Sequence, residues 1–362
     1  MTLKDTLTDP HSHWMEDGGA EADVVVSSRV RLARDLADYP FPHRLTREQA
    51  EEVIHAVRLA IERPETVAKV GQLELTRLSE LTPVERHVLV AKHLVSPDFL
   101  KGDVTGKAVV LRPDEVVSIM VNEEDHLRIQ CLLPGLALEE CWRLASAVDD
   151  ALEATIEYSF SENFGYLTTC QTNVGTGLRA SVMLHLPGLA AARMLDEIIP
   201  GLSKLGLTVR GLYGEGTRAA GDLFQVSNQI TLGRSEEEII SNLTALVSRL
   251  VGQEREARKR LYHEQREALE DRVHRSYGIL QSARLMTSEE AMRHLSDVRL
   301  GLALKIIKQP TFSLISELMV LTQPAFLMRT AGRELRPFER DVLRARLVRE
   351  RLAAATGKGR QL

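Results

Sequence analysis

The chain has 362 residues, 44% of them apolar, 27% charged and only 4% aromatic, with a formal net charge of -5. That length exceeds the usual single core and that apolar fraction excludes global disorder, so a large domain with a smaller one is expected. The acidic balance argues against a dedicated nucleic-acid binder. The start Met1-Thr2-Leu3-Lys4-Asp5 lacks a secretory leader and no uncharged stretch is long enough for a bilayer, so a soluble cytoplasmic protein is expected.

In chain order, Val24 to Val26 read as a buried strand leading into Ser27-Ser28-Arg29-Val30-Arg31. Residues 46 to 62 place Ala50, Val53, Ile54, Val57 and Ile61 on one helical stripe, opened by a Thr46/Gln49 capping box and ended by Pro64. A second helix starts at Thr82, with Pro83 at its first position and Glu85 completing a box. Runs at Lys107 to Leu111, Val116 to Val121 and Leu127 to Leu133 predict an antiparallel meander. Helical spacing returns over 137–157, followed by Gly-rich loops and strand-like runs at Leu207 to Leu212 and Leu223 to Leu232. Strands and helices mix without a βαβ rhythm, which predicts an α+β fold with an antiparallel sheet flanked by helices. From the Ser235/Glu238 box onward the pattern is helical, with later helices at Ser288 to Leu300, Thr311 to Leu321 and Phe338 to Leu352 punctuated by Pro310, Pro324 and Pro337. This predicts a small all-α C-terminal domain. From Arg329 to Arg360 nine Arg and one Lys face four acids, a local net of +6 that suits an anionic partner or a solvated helix face.

Several signatures are excluded. Gly102-Asp103-Val104-Thr105-Gly106-Lys107-Ala108 is one residue short of a P-loop and has Ala where a metal-holding hydroxyl belongs, so it reads as a turn before a strand. HRD, DFG and HExxH are absent, and neither Gly175-Thr176-Gly177 nor Gly214-Glu215-Gly216 continues as a dinucleotide fingerprint. Cys131, Cys141 and Cys170 form no CxxC pair, so neither a disulfide framework nor a structural zinc site is indicated.

Three motifs place costly polar groups beside strand ends. Arg29 and Arg31, spaced by two, project from one strand face as a bidentate clamp for phosphate oxygens or as salt-bridged members of an amphipathic strand. Asn122-Glu123-Glu124-Asp125-His126-Leu127-Arg128 sets three consecutive acids at a strand junction. They repel unless a cation or guanidinium sits among them, or they form an exposed acidic turn. Cys170-Gln171-Thr172-Asn173-Val174-Gly175-Thr176-Gly177-Leu178-Arg179 is a Gly-containing loop opening with a Cys and closing with an Arg; taken alone, its Cys also reads as a small buried hydrophobe.

In this order, SSRVR, NEEDHLR and CQTNVGTGLR resemble the catalytic core of the phosphagen (guanidino) kinases over roughly residues 20 to 250. Those enzymes carry a helical domain before the first Arg pair, whereas here the pair begins at Arg29 and the helical domain follows. With Arg210-Gly211-Leu212-Tyr213-Gly214-Glu215-Gly216 and Arg340-Asp341-Val342-Leu343-Arg344-Ala345, the arrangement resembles the bacterial protein-arginine kinases of the McsB type along the whole chain.

The resemblance implies transfer of the ATP γ-phosphate to arginine guanidinium groups in proteins. It divides the chain into a phosphotransferase domain, 1–254, and a helical domain, 255–362, with a phosphoarginine-binding and dimerisation role. It places Arg29, Arg31, Arg128, Arg179 and Arg210 on the nucleotide phosphates, with Ser27, Ser28 and His93 lining the nucleotide site. Val30, Ala180, Ser181, Val182, Met183, Gly211, Leu212, Tyr213, Gly214 and Glu215 belong to the same nucleotide-binding segments. Mg2+ is held mainly by phosphate oxygens and water, with Glu123 in its outer shell. Because a guanidinium stays protonated at neutral pH, carboxylates must orient it and take a proton. Glu124 and Glu215 are the candidates, with Cys170 near the guanidinium. In the metabolite kinases a second acid lies further along the last loop, where Thr217 and Arg218 stand, so the second carboxylate is Glu215 or another acid. Arg340, Asp341, Arg344 and Ala345 would form a regulatory phosphoarginine pocket, or Arg340 and Asp341 are a helix surface pair. Expected partners are a zinc-binding activator protein, a Clp-type ATPase/protease acting in a stress response, and a second copy of the chain. Two alternatives stand: a metabolite kinase acting on free arginine or another small guanidine, and a catalytically silent phosphoprotein-binding module.

Overall fold

The computed structural model describes residues 3–211 and 220–355. A short helix α1 (Leu3–Thr8) precedes β1 (Val25–Arg34). Next come α2 (Arg47–Glu62), α3 (Pro64–Val70), the edge strand β2 (Glu74–Arg77) and α4 (Pro83–Ala91). The meander β3 (Ala108–Leu111), β4 (Val117–Val121) and β5 (Leu127–Pro134) leads to α5 (Leu138–Glu153) and a small hairpin, β6 (Phe160–Ser161) with β7 (Gly165–Tyr166). Then follow β8 (Leu178–His185), α6 (Pro187–Ala191), α7 (Leu195–Lys204), β9 (Leu207–Gly211) and β10 (Leu223–Asn228). The chain continues through α8 (Glu236–Glu264), α9 (Arg266–Ser282), α10 (Ser288–Ala303), α11 (Phe312–Leu321), α12 (Pro324–Ala331) and α13 (Pro337–Ala355).

Eight strands form one sheet in the order β2-β3-β4-β5-β1-β8-β10-β9, every neighbour antiparallel. The expected meander and the α+β class are both present. The boxes at Thr46, Thr82 and Ser235 form as read, each threonine or serine oxygen accepting from the third helical N–H. A fourth, Thr287 with Glu290, opens α10. Proline behaves differently from its reading as a break. Pro64 and Pro324 each start a new helix, because the fixed φ and missing N–H cost nothing at the first helical position. The segment 324–331 therefore adds a helix to the three expected after residue 288.

Strand alternation gives the sheet two unlike faces. Val30, Leu32, Ile129, Ala180 and Val182 join one core, covered by α2, α5 and α8. Val109, Met120, Leu132 and Met183 join a second core with Trp14 and with Val273, Leu295, Leu318 and Phe326 of the C-terminal helices. The helical region thus shares a core with the sheet, and α8 runs unbroken through residues 254 and 255. No described helix is long and apolar enough to cross a membrane.

Candidate active site

On the second face, where the apolar residues stop, the sheet opens into a cleft of about 1060 Å³. Alternation and register deliver the guanidinium groups there. Arg31 stands opposite Arg179 across the β1–β8 pair, Arg29 opposite Ser181, and Arg210 of β9 opposite Gln225 of β10. Arg128 enters from the start of β5. All five arginines line the cleft, with His93, Glu123, Glu124, Cys170 and Gly211.

The cluster is rich in positive charge and poor in counter-charge. Arg29 donates to Ser181 Oγ at 3.3 Å and to Gln225 Oε1 at 2.7 Å, both neutral acceptors. The Nε atoms of Arg31 and Arg179 are buried without a hydrogen-bond partner. Arg128 pairs with Glu123, and its second nitrogen lies 3.6 Å from Glu124. Burial, then the charges of Arg128 and Arg179, lower Arg29 to about 10. Arg31 falls well below the ordinary guanidinium value through burial and its arginine neighbours, with Glu123 opposing. Arg179 is lowered by burial, then Arg210 and Arg128. A guanidinium remains charged at neutral pH, so these shifts record burial first and then mutual repulsion, and a bound polyanion would offset both.

The acidic turn between β4 and β5 solves its charge problem in two ways. Arg128 sits among the acids, as their repulsion required. Glu123 also accepts from Ser96, and its side chain is nearly buried. Glu124 remains exposed, pointing into the cleft. Asp125 turns inward, accepts from Thr169 N–H at 2.8 Å and lies beside Asp35, whose own Oδ1 accepts from His126 N–H at 2.9 Å. Burial, then Asp35, pushes Asp125 up to about 8. Because Thr169 precedes Cys170, this one carboxyl joins the Glu124 turn to the thiol loop. Cys170 is half-buried, its Sγ 3.1 Å from Thr172 Oγ1. His93 follows α4 with a left-handed φ of 62°, and burial beside Arg29 pushes it down to about 3, leaving a neutral imidazole.

The other named residues divide. Ser28 is fully buried, donating to Gly135 O at 2.8 Å and accepting from Ala137 N–H at 3.0 Å, so it pins a turn and does not line the cleft. Ser27 is buried as well. Val30, Ala180 and Val182 point into the opposite core and Met183 into the shared one, as period-two alternation requires; Ser181 alone of that run supports a cleft arginine. Leu212, Tyr213, Gly214 and Glu215 lie outside the described residues. Arg344 is buried and spent internally, donating to Thr322 O at 3.0 Å, Met286 O at 2.8 Å and Asp341 Oδ1 at 2.5 Å, while Ala345 is core. Arg340 and Asp341 remain half-buried on α13, away from the cleft lining.

Six residues are new to the site. Gln225 holds Arg29; Asp35 lies beside Asp125; and Gln323, Pro324, Ala325 and Met328, around the start of α12, also line the cleft. The acidic run signalled that some acid needed neutralising, but nothing local marked Asp35 as the partner. Among the described residues no group of three His, Cys, Asp or Glu is placed to hold a metal.

An antiparallel sheet presenting a cluster of guanidinium groups beside an exposed carboxylate is the arrangement of a guanidino-type phosphotransferase. The model of the ATP:guanido phosphotransferase C-terminal catalytic domain matches residues 52–257, and that of the protein-arginine kinase McsB C-terminal domain matches 266–361. The chain belongs to the protein-arginine kinase family. A protein-arginine kinase of Pelotomaculum thermopropionicum is 59% identical over 98% of this chain and 99% of its own. Its namesake in Bacillus subtilis is 48% identical over 97% and 96%. Among solved structures, lombricine kinase superposes with a TM-score of 0.57 at 24% identity, covering 70% of this chain and 75% of that one. The duplicated taurocyamine kinase of Schistosoma mansoni gives 0.55 at 24%, covering 68% and 35%. These two show the shared fold.

Proposed function

We propose that the cleft binds ATP with its phosphates on Arg29, Arg31, Arg128, Arg179 and Arg210 and passes the γ-phosphate to a guanidinium nitrogen of an arginine within a protein. The convergence of five guanidinium groups on one cleft carries this reading. Phosphoryl transfer asks for positioning and charge neutralisation more than covalent help, and arginines supply both. Both oxygens of Glu123 are engaged by Ser96 and Arg128, so Mg2+ would rest on phosphate oxygens and meet Glu123 through water. The ion would neutralise developing phosphate charge.

Glu124 is the proposed general base. A planar guanidinium fits its carboxylate, which takes the proton as the nitrogen–phosphorus bond forms and the bond from phosphorus to the ADP oxygen breaks. Asp125 and Arg128 hold that turn. Cys170 borders the acceptor, and Glu215 is retained as second carboxylate on resemblance alone. A regulatory phosphoarginine pocket at Arg340 and Asp341, with Arg344 and Ala345 as its scaffold, is proposed on the same footing. So are a division near 254/255, dimerisation through the helical region, a zinc-binding activator and delivery of products to a Clp-type protease in a stress response.

The test is to offer ATP with either free arginine or an arginine-rich unfolded protein and to measure acid-labile phosphate on each. Labelling of the protein is expected. Labelling of the free amino acid alone would make the enzyme a metabolite kinase.

A further inference from the structure

His93 sits in the proposed nucleotide site, yet its conformation is not one that its own sequence favours. A left-handed φ of 62° in a non-glycine residue persists only where neighbours over-determine it. The neighbours come from two directions. Gln130 Nε2 donates to the His93 carbonyl at 2.9 Å, and His93 N–H returns to Val90 O at 3.0 Å. From the far N-terminus, Trp14 sets its indole edge-on to the His93 ring, centroids 5.4 Å apart at 66°, and donates Nε1–H to the carbonyl of Lys92 at 3.1 Å.

That N-terminal segment is itself fastened from the same point. The Lys92 ammonium is fully buried and donates to Thr6 O at 3.1 Å, Asp9 O at 2.9 Å and Glu115 Oε1 at 2.6 Å. Ser12 Oγ donates to the other oxygen of Glu115 at 2.6 Å. A side chain serving only to fill the core does not need this polar frame. Here residues 6–15 are clamped to the dipeptide Lys92-His93, and Trp14, 3% exposed, is the one that reaches the imidazole.

We propose that Trp14 is a positioning residue for the nucleotide: its ring edge and its bond to Lys92 O hold the left-handed His93 so that the imidazole faces ATP beside Arg29. The N-terminal segment, which precedes the matched catalytic-domain model, is thereby part of the nucleotide site. This rests on the active-site reading above. The two fail separately, because ATP binding by the parent protein is measured independently by calorimetry.

The chain has only two tryptophans, Trp14 and Trp142. Trp142 borders a different cleft, so Trp142→Phe leaves Trp14 as the sole tryptophan, read by selective tryptophan excitation. Saturating ATP is expected to shift Trp14 emission in that protein, and His93→Ala added to it should abolish the shift. Trp14→Ala should raise KM for ATP about three- to tenfold with kcat nearly unchanged, while Trp14→Phe, which keeps a ring edge, recovers most of the difference. If Trp14→Ala does not fold, Trp14→Phe and the emission readout still decide. Emission unmoved while calorimetry shows ATP bound, or both variants melting lower with KM unchanged, would reduce Trp14 to a core residue and overturn the proposal. No ATP binding by the parent would overturn the active-site reading instead.

Discussion

Arg31 and Arg34 lie three residues apart on one strand, on opposite faces of the sheet, and their surroundings could hardly differ more. Arg34 is buried and matched: two nitrogens reach Asp149 Oδ2 at 3.0 and 2.6 Å, a third donates to the Ala33 and Thr176 carbonyls, and the guanidinium lies 3.5 Å over the Tyr166 ring. Arg31 meets Arg179 across the strand, keeps an unpaired buried Nε and lies in the field of Arg29 and Arg128. A fold that needs arginine for architecture supplies a carboxylate. At Arg29 and Arg31 the cleft supplies no such carboxylate partner, and the guanidinium groups lie in one another's field.

The contrast is broken hardest at Glu124, the exposed acid beside Arg128 in the cleft. Glu124→Gln keeps shape and removes the proposed base, and the expected loss in kcat is about 10²–10⁴-fold with ATP affinity retained, read by transfer kinetics beside calorimetry. Activity within threefold of the parent would place the base elsewhere. On the architectural side, Arg34→Met leaves Asp149 buried and alone, which costs about 3–5 kcal/mol of stability by denaturant titration, while the surviving folded protein keeps normal KM for ATP. A cost under about 1 kcal/mol would show that the pair is not what holds this face.

A subtler effect concerns Asp125. Burial beside Asp35 raises its carboxyl from about 3.8 to about 8, so across that window the native state favours the extra proton. Stability contributed by the protonated acid is full below pH about 4 and declines as pH rises toward 8. Asp125→Asn, permanently neutral, should flatten that decline and extend activity on the alkaline side. A melting-temperature profile parallel to the parent's between pH 5 and 9 would contradict the raised Asp125 carboxyl. Smallest is Gln225→Ala, which frees Arg29 without removing it; KM for ATP should rise about three- to tenfold, the equivalent of one hydrogen bond, with kcat little changed. An unchanged KM would mean that Ser181 alone suffices.

What could be read from the sequence followed its local signals. Capping boxes, the β3–β5 meander and the paired spacing of Arg29 and Arg31 are short-range patterns, and the structure has all of them. Strand parity could equally have excluded Val30, Ala180 and Val182 from the cleft, since each alternates with an arginine or serine that faces it. What was not legible depends on long-range partners. Asp35 meets Asp125 only because β1 and the acidic turn adjoin in the folded sheet, and Gln225 meets Arg29 across two strands. Pro324 read as punctuation although it opens the helix that walls the cleft. Trp14 sits far upstream of the residue it touches.

The central claim is that charge left unmatched on the cleft face is there for ATP. It is tested most directly by measuring, side by side, the melting temperature and the ATP dissociation constant of Arg179→Ala and Arg34→Met. The account predicts that Arg179→Ala melts at or above the parent temperature and loses at least tenfold in ATP affinity, while Arg34→Met melts well below it and binds ATP normally. A destabilised Arg179→Ala protein with unaltered ATP affinity would contradict it.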